Sequence, residues 1–129
     1  PTLVESDSLG VLMREVFGPI VHVYAFDGPD LSKLIEEINS TGYGLTFGVH
    51  TRIDGRAAEL SRLIRAGNVY VNRNMVGAVV GVQPFGGRGL SGTGPKAGGP
   101  NYLARFASEY AISTNTAAVG GNASLLSLD

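Results

Sequence analysis

Apolar positions in the first 72 residues recur with two spacings, which predict strands alternating with helices. The run "PIVHVYAF" (Pro19 to Phe26) is nearly continuous in apolar residues, as in a central strand that is covered on both faces. "LTFGVHT" (Leu45 to Thr51) and "NVYVN" (Asn68 to Asn72) are shorter runs of β-branched and aromatic residues, typical of strands. Because helical segments separate these runs, the pattern predicts βαβ units and a mostly parallel sheet.

Two amphipathic helices are predicted between the strands. Asp30 is a candidate N-cap of the first helix, which Gly42 ends, and Asp54 opens the second helix, which runs to Gly67. In each helix the apolar residues recur every three or four positions and form one stripe that can face the sheet. The stripes are Leu31, Leu34, Ile35 and Ile38 in the first helix and Ala57, Leu60 and Ile64 in the second.

From Arg73 to Gly99 the periodicity disappears and glycine is frequent, which predicts a long loop. A loop of that length in a small domain is usually functional. Gly87, Gly89 and Gly92 form a literal G-x-G-x-x-G, the pattern of a dinucleotide-binding turn. That turn requires a strand directly before the glycines and a helix directly after them, and the sequence predicts neither here. A nucleotide site built on these glycines is one hypothesis. The other is that the glycines let the loop fold tightly.

Composition narrows the class of protein. The chain has 129 residues, about one domain, with a formal net charge of -1 and a pI near 6.1, which does not favour a nucleic-acid partner. No apolar run is long enough to cross a membrane and no signal segment is seen, so we expect a cytoplasmic protein with a small-molecule or protein partner. The start at Pro1 without a Met suggests a piece of a longer protein.

Side-chain chemistry adds little before a family is considered. The chain contains no cysteine, so it offers no disulfide, thiolate metal ligand or cysteine nucleophile. His22 and His50 lie on predicted strands without an acidic companion and make a poor metal site, so no metal is expected. After Phe106 the chain alternates through Tyr110 and Ile112 like a strand, and then turns polar, so it needs a partner surface to be ordered.

The order of several motifs resembles one enzyme family. "REVFGPI", "TGYGLTFGVHT", "AGNVYVN" and "QPFGGRGLSGTG" follow one another as in the C-terminal part of an NAD(P)-dependent aldehyde dehydrogenase, over most of residues 1–112. "NRNMVGAVVGVQPFGG" and "GPKAGGPNYLARF" resemble the pyrroline-5-carboxylate dehydrogenases, most closely those within bacterial bifunctional proline-utilisation enzymes. The resemblance implies an α/β fold with a mostly parallel three-layer sheet, a long Gly-rich loop and a C-terminal oligomerisation strand.

The same resemblance implies a domain division and a reaction. Residues 1–105 correspond to the C-terminal portion of the catalytic domain, and residues 106–129 to the oligomerisation strand and tail. The implied enzyme oxidises L-glutamate γ-semialdehyde to L-glutamate with NAD in proline catabolism. Its cysteine nucleophile and general base lie upstream of the matched part, so the chain alone is expected to be inactive and to bind NAD weakly. FAD is implied only if a separate proline dehydrogenase domain lies upstream.

Five positions match functional positions of the family. Glu15 matches the ligand of the nicotinamide ribose, and Phe17 matches the aromatic residue beside the nicotinamide. Gly77 and Ala78 match the loop whose backbone N–H groups anchor the α-carboxylate of the substrate, and Phe85 matches an aromatic wall of the aldehyde site. The resemblance implies no catalytic residue within this chain.

Two expectations follow for partners. As part of a dehydrogenase, the segment would contact the remainder of its parent chain and join a homo-oligomer. The alternative is a stand-alone assembly or binding module that has an aldehyde-dehydrogenase-like fold and no catalysis.

Overall fold

The structure is a computed structural model, and it describes residues 1–76, 78–115, 118 and 124. Within them, six strands and two α-helices follow one another, with short 3-10 helices at Leu9–Val11, Gly28–Asp30 and Leu103–Phe106. The strands are β1 (Thr2–Ser6), β2 (Ile20–Tyr24), β3 (Tyr43–Gly44), β4 (Thr46–Val49), β5 (Asn68–Val71) and β6 (Arg88–Gly89). The helices are α1 (Leu31–Ser40) and α2 (Asp54–Leu63).

The described strands associate in pairs. β1 pairs with β2 in parallel, with Thr2 opposite Ile20, and β4 pairs with β5 in parallel, with Thr46 opposite Asn68. β3 and β6 pair antiparallel, with Tyr43 opposite Gly89. α2 connects β4 to the parallel strand β5, which is the predicted βαβ arrangement.

The core lies where the two helices meet the β4–β5 pair. Ile35 of α1 and Leu60 of α2 form a buried cluster with Ile64 and Ala66, which follow α2. Phe47, Val49 and Val69 of β4 and β5, together with Leu31 and Ile38, pack against it. Burial of one Leu or Ile side chain contributes roughly 1.5 to 3 kcal/mol, so this cluster is the main source of stability among the described residues.

The predicted elements of this region are confirmed, with differences at their ends. α1 begins after Asp30, but the Asp30 side chain makes no capping hydrogen bond. The turn after α1 contains Gly42 with a φ of 77°, a conformation that suits glycine. α2 ends at Leu63 rather than continuing to Gly67, because Ile64 adopts an extended conformation with a ψ of 135°.

The expectation of a central, doubly covered strand at Pro19 to Phe26 is wrong for the described residues. β2 forms there, but it pairs with β1 alone, and its side chains Val21 and Val23 are 58% and 43% exposed. The apolar sequence matches a strand between two layers, whereas in the described residues Ile20 and Tyr24 on one face are half-buried and Val21 and Val23 on the other face stay exposed.

The glycine-rich stretch contains little regular structure. Apart from β6, its ladder contacts are an isolated antiparallel bridge between Phe85 and Ala97. Described residues 107–115 belong to no strand, so the strand expected at Tyr110 and Ile112 is not formed here, and it remains a prediction that requires a partner edge. Most of the tail beyond residue 115 lies outside the described residues. Among those described, no helix is long and apolar enough to span a membrane.

Candidate functional site

A cavity of about 430 Å³ opens between the segment before β2 and the start of β3. Arg14, Glu15 and His22 contribute charged and polar groups to its wall, and Tyr43 and Ser91 contribute hydroxyl groups. The backbone N–H of Glu15 donates a hydrogen bond to Tyr43 Oη over 3.4 Å. Glu15, the predicted ribose ligand, therefore lies beside Tyr43, which begins β3 and is 28 residues later in the sequence.

Ser91 connects the glycine-rich stretch to the same wall. Its Oγ accepts a hydrogen bond from the backbone N–H of Gly44 over 3.0 Å, and the preceding residue, Leu90, donates its backbone N–H to Gly42 O over 2.9 Å. Because β6 also pairs with β3, the loop is fixed along one side of the cavity.

Phe17 occupies a different environment from Glu15. Its ring is 95% exposed, and Phe17 is not part of the cavity wall. Both Glu15 and Phe17 of the segment "EVF" are exposed, but Glu15 lines the cavity and Phe17, two residues later, does not.

The predicted substrate residues are placed unevenly. Gly77 lies outside the described residues. Ala78 is half-buried, and so is Phe85. Phe85 is held by two backbone hydrogen bonds with Ala97, from Phe85 N to Ala97 O over 3.1 Å and from Ala97 N to Phe85 O over 3.0 Å.

Two polar side chains that the sequence analysis did not single out hold the "PFGG" turn against β5. Asn68 donates from Nδ2 to Pro84 O over 2.9 Å and accepts at Oδ1 from Gly86 N over 3.2 Å. Lys96 Nζ donates to Gly86 O over 2.7 Å, to Asn68 Oδ1 over 3.2 Å and to Gly67 O. Burial, and secondarily the charge of Arg88, lower the pKa of Lys96. In the sequence, the position of Lys96 among glycines and prolines is the one signal that could have marked it as a functional residue.

Glycine is required at this junction by close backbone approach. A Cβ on Gly67 would lie 1.8 Å from Gly86 O, and a Cβ on Gly92 would lie 2.3 Å from Gly87 O. Gly89 of the literal G-x-G-x-x-G lies in β6, and no α-helix begins after Gly92 among the described residues. The glycines thus allow one segment to lie directly on another, and the geometry of a phosphate-binding turn is not present there.

The two histidines line different cavities. His22 lies on β2 and contributes to the wall of the cavity beside Glu15, and His50 directly follows β4 and lines a smaller cavity with Leu60. Over the described part of the chain, no group of three His, Cys, Asp or Glu side chains is arranged to hold a metal ion.

Comparison with known proteins defines the class to which this site belongs. The sequence pattern of the aldehyde dehydrogenase family matches residues 1–112, and the chain belongs to that family. It is 61% identical over 106 residues to the bifunctional protein PutA of Rhizobium meliloti, a match that covers 82% of this chain and 9% of that protein. It is 46% identical over 107 residues to 1-pyrroline-5-carboxylate dehydrogenase 1 of Halalkalibacterium halodurans, covering 81% of this chain and 20% of the relative.

A solved structure agrees with these matches. The crystal structure of a mutant of Bradyrhizobium japonicum proline utilization A (PutA) superimposes with a TM-score of 0.80 at 58% identity, covering 92% of this chain and 12% of that one. The chain therefore spans about a tenth of the length of its PutA relatives. The predicted resemblance to the pyrroline-5-carboxylate dehydrogenases and to the bifunctional proline-utilisation enzymes is confirmed.

Proposed function

We propose that this chain is the C-terminal part of the catalytic domain of an NAD-dependent dehydrogenase that oxidises L-glutamate γ-semialdehyde to L-glutamate in proline catabolism. The observation that carries the proposal is the identity of 61% to a bifunctional PutA protein and of 46% to a 1-pyrroline-5-carboxylate dehydrogenase over the same residues. Residues 1–105 would belong to the catalytic domain and residues 106–129 to the oligomerisation strand and tail.

Glu15 is the proposed ligand of the nicotinamide ribose. Its position in the wall of a cavity of about 430 Å³ supports this role, since the space admits a sugar ring. A carboxylate offers two acceptor oxygens, which match the two hydroxyl groups of a ribose diol. Bound NAD would supply the acceptor for the hydride removed from the substrate. The part of the chain described here contributes orientation of that cofactor, with the exposed Phe17 ring proposed to lie beside the nicotinamide.

Phe85 and the preceding loop are proposed to form the aldehyde end of the site. The two hydrogen bonds between Phe85 and Ala97 fix the backbone of the aromatic residue. Gly77 and Ala78 are proposed to anchor the α-carboxylate of the substrate through backbone N–H groups, a role in which a small residue lets the backbone approach the anion.

The nucleophile must come from another segment, because the chain contains no cysteine. The same parent would cover the apolar faces of β1 and β2. Tyr110 and Ile112 are 81% and 79% exposed, which supports the proposal that residues after Phe106 pair with another subunit of a homo-oligomer. Light scattering on the longer enzyme tests this assembly, and a monomer would contradict it.

The test compares Glu15→Gln with Glu36→Gln in the longer dehydrogenase that contains this segment. Glu36 is exposed on α1 and serves as the matched control. Because hydrogen bonds to a charged group contribute about 1.5 to 3 kcal/mol, the KM for NAD should rise roughly ten- to a hundredfold in Glu15→Gln, with little change in the KM for the aldehyde. An unchanged KM for NAD would contradict the role of Glu15. Aldehyde oxidation by the isolated 129-residue chain would contradict its inactivity.

A further inference from the structure

The turn that contains Phe85 is attached to β5 through side chains and not only through backbone pairing. Lys96 Nζ donates hydrogen bonds to Gly67 O, to Gly86 O and to Asn68 Oδ1. An ammonium group has three donors and no acceptor, so these three partners use its full capacity. Gly67 directly precedes β5 and Asn68 is its first residue, whereas Gly86 belongs to the turn, so one side chain joins two segments that are far apart in sequence.

Asn68 binds the residues on both sides of Phe85. Its Nδ2 donates to Pro84 O over 2.9 Å, and its Oδ1 accepts from Gly86 N over 3.2 Å. The amide therefore spans Phe85, the residue between these two partners. Because the same Oδ1 also accepts from Lys96 Nζ, the two side chains form one connected group.

Phe85 itself is paired on its other side with Ala97, the residue after Lys96. Its N–H and C=O are both used in that pair, and its neighbours are bound by Asn68 and Lys96. The Phe85 backbone is thus fixed from two directions, which limits the positions available to its ring.

We propose that Lys96 and Asn68 are positioning residues that set the orientation of Phe85 against the aldehyde. The inference rests on the proposed function, because it requires Phe85 to form a wall of the aldehyde site. Neither side chain need touch the substrate. Loss of the Lys96 ammonium would release the "PFGG" turn from β5 and loosen the aromatic wall, whereas the cofactor end at Glu15 would keep its contact with Tyr43.

The test uses the longer dehydrogenase and a double-mutant cycle. Lys96→Met keeps most of the aliphatic stem and removes the ammonium, and Lys33→Met on the exposed face of α1 is the matched control. An aromatic contact contributes about a factor of two to ten, so Lys96→Met and Phe85→Ala should each raise the KM for the aldehyde several-fold. The KM for NAD should not change. The double variant should equal Phe85→Ala alone, since Lys96 acts through Phe85, and Lys96→Arg should restore part of the loss.

The outcomes separate this inference from the proposed function. If Phe85→Ala leaves the KM for the aldehyde unchanged, the proposed aromatic wall is wrong, and the positioning role is overturned with it. If Phe85→Ala raises this KM but Lys96→Met does not, or if the two effects add fully, only the positioning role is overturned.

A milder variant covers the case in which Lys96→Met does not fold. Asn68→Asp keeps an acceptor for Lys96 and Gly86 but removes the Nδ2 donor to Pro84. It should raise the KM for the aldehyde and speed hydrogen exchange at the Phe85 amide, with exchange in the α2 core unchanged. Unchanged exchange at Phe85 and an unchanged KM would contradict the inference.

Discussion

The helical unit of α1, β4, α2 and β5 buries its own core, whereas the β1–β2 pair buries almost nothing. In the helical unit Ile35 is 3% and Leu60 is 5% exposed. In the strand pair Leu3 is 71% and Val21 is 58% exposed, although the pair forms five residue pairs in a regular parallel register. Both regions are rich in apolar residues, so composition does not explain the difference.

The difference lies in where each region finds its covering layer. An amphipathic helix returns along the chain and covers the strand that precedes it, so a βαβ unit contains its own second layer. A strand that is apolar on both faces needs a layer on each side. For β2 the described residues leave the face of Val21 and Val23 exposed, which agrees with a chain that spans about a tenth of its PutA relatives. Single substitutions in the two regions, compared by urea denaturation of the 129-residue chain, test this difference.

Leu60→Ala should have the largest effect, because it empties a position in the centre of the core. We expect a loss of roughly 3 kcal/mol in the free energy of unfolding, in the range measured for buried leucines. Leu63→Ala, on the same helix but 46% exposed, is the matched control and should cost much less. Equal losses would mean that the helical unit is not packed as described.

Gly67→Ala should follow, because the added Cβ would lie 1.8 Å from Gly86 O and must displace the "PFGG" turn. Overpacking of this kind costs roughly 1 to 3 kcal/mol. Gly55→Ala in α2 is the control, since its Cβ would meet nothing within 4 Å and alanine favours the helix. A neutral Gly67→Ala would show that the turn is independent of the helical unit.

Val69→Ala and Val21→Ala compare the two regions with one chemical change. Val69 packs against the core, so its truncation should cost about 1.5 kcal/mol, whereas the exposed Val21 should cost less than about 0.5 kcal/mol. In the longer dehydrogenase the cost of Val21→Ala should rise toward that of Val69→Ala if other segments cover β2. A cost that stays small there would contradict the proposed covering.

The smallest effect is a pH dependence from Lys96. Its folded-state pKa is lowered from 10.5 by burial and by Arg88, so the unfolded chain binds more protons between the two values. The free energy of unfolding should therefore rise slightly as pH increases from the lowered pKa toward 10.5. Lys96→Met should remove this rise, and Lys33→Met should keep it. A fall in the free energy of unfolding over that range that is absent from Lys96→Met would mean that folding raises the pKa of Lys96 and does not lower it.

Much of the local structure could be predicted from periodicity alone. The stripe through Leu31, Ile35 and Ile38 predicts α1, and that through Ala57 and Leu60 predicts α2, because burial of one helix face depends on spacing within a few turns. The stripe through Ile64 and the glycine at Gly67 predict an end of α2 that is too late, because the helix stops at Leu63. Gly67 instead marks the close approach to Gly86, which no local pattern reveals.

For the candidate site, the order of motifs was enough to predict the family, and to nominate Glu15, Phe17, Gly77, Ala78 and Phe85. It did not predict that Glu15 lines a cavity and Phe17 does not, because the two residues belong to one short segment. The motifs also did not predict that the Asn68 side chain binds Pro84 and Gly86 of the "PFGG" turn.

The two helices, the strands β2, β4 and β5 and the aldehyde dehydrogenase family are thus predictable from the amino-acid order, since each depends on residues close in the chain or on the order of short motifs, whereas β1, β3 and β6 are not predicted. Which polar side chains join distant segments is fixed only in the folded chain. Lys96 reaches acceptors 28 and 29 residues earlier. Such contacts arise only when the backbone has brought both ends together, because hydrogen bonds have a short range and strict geometry.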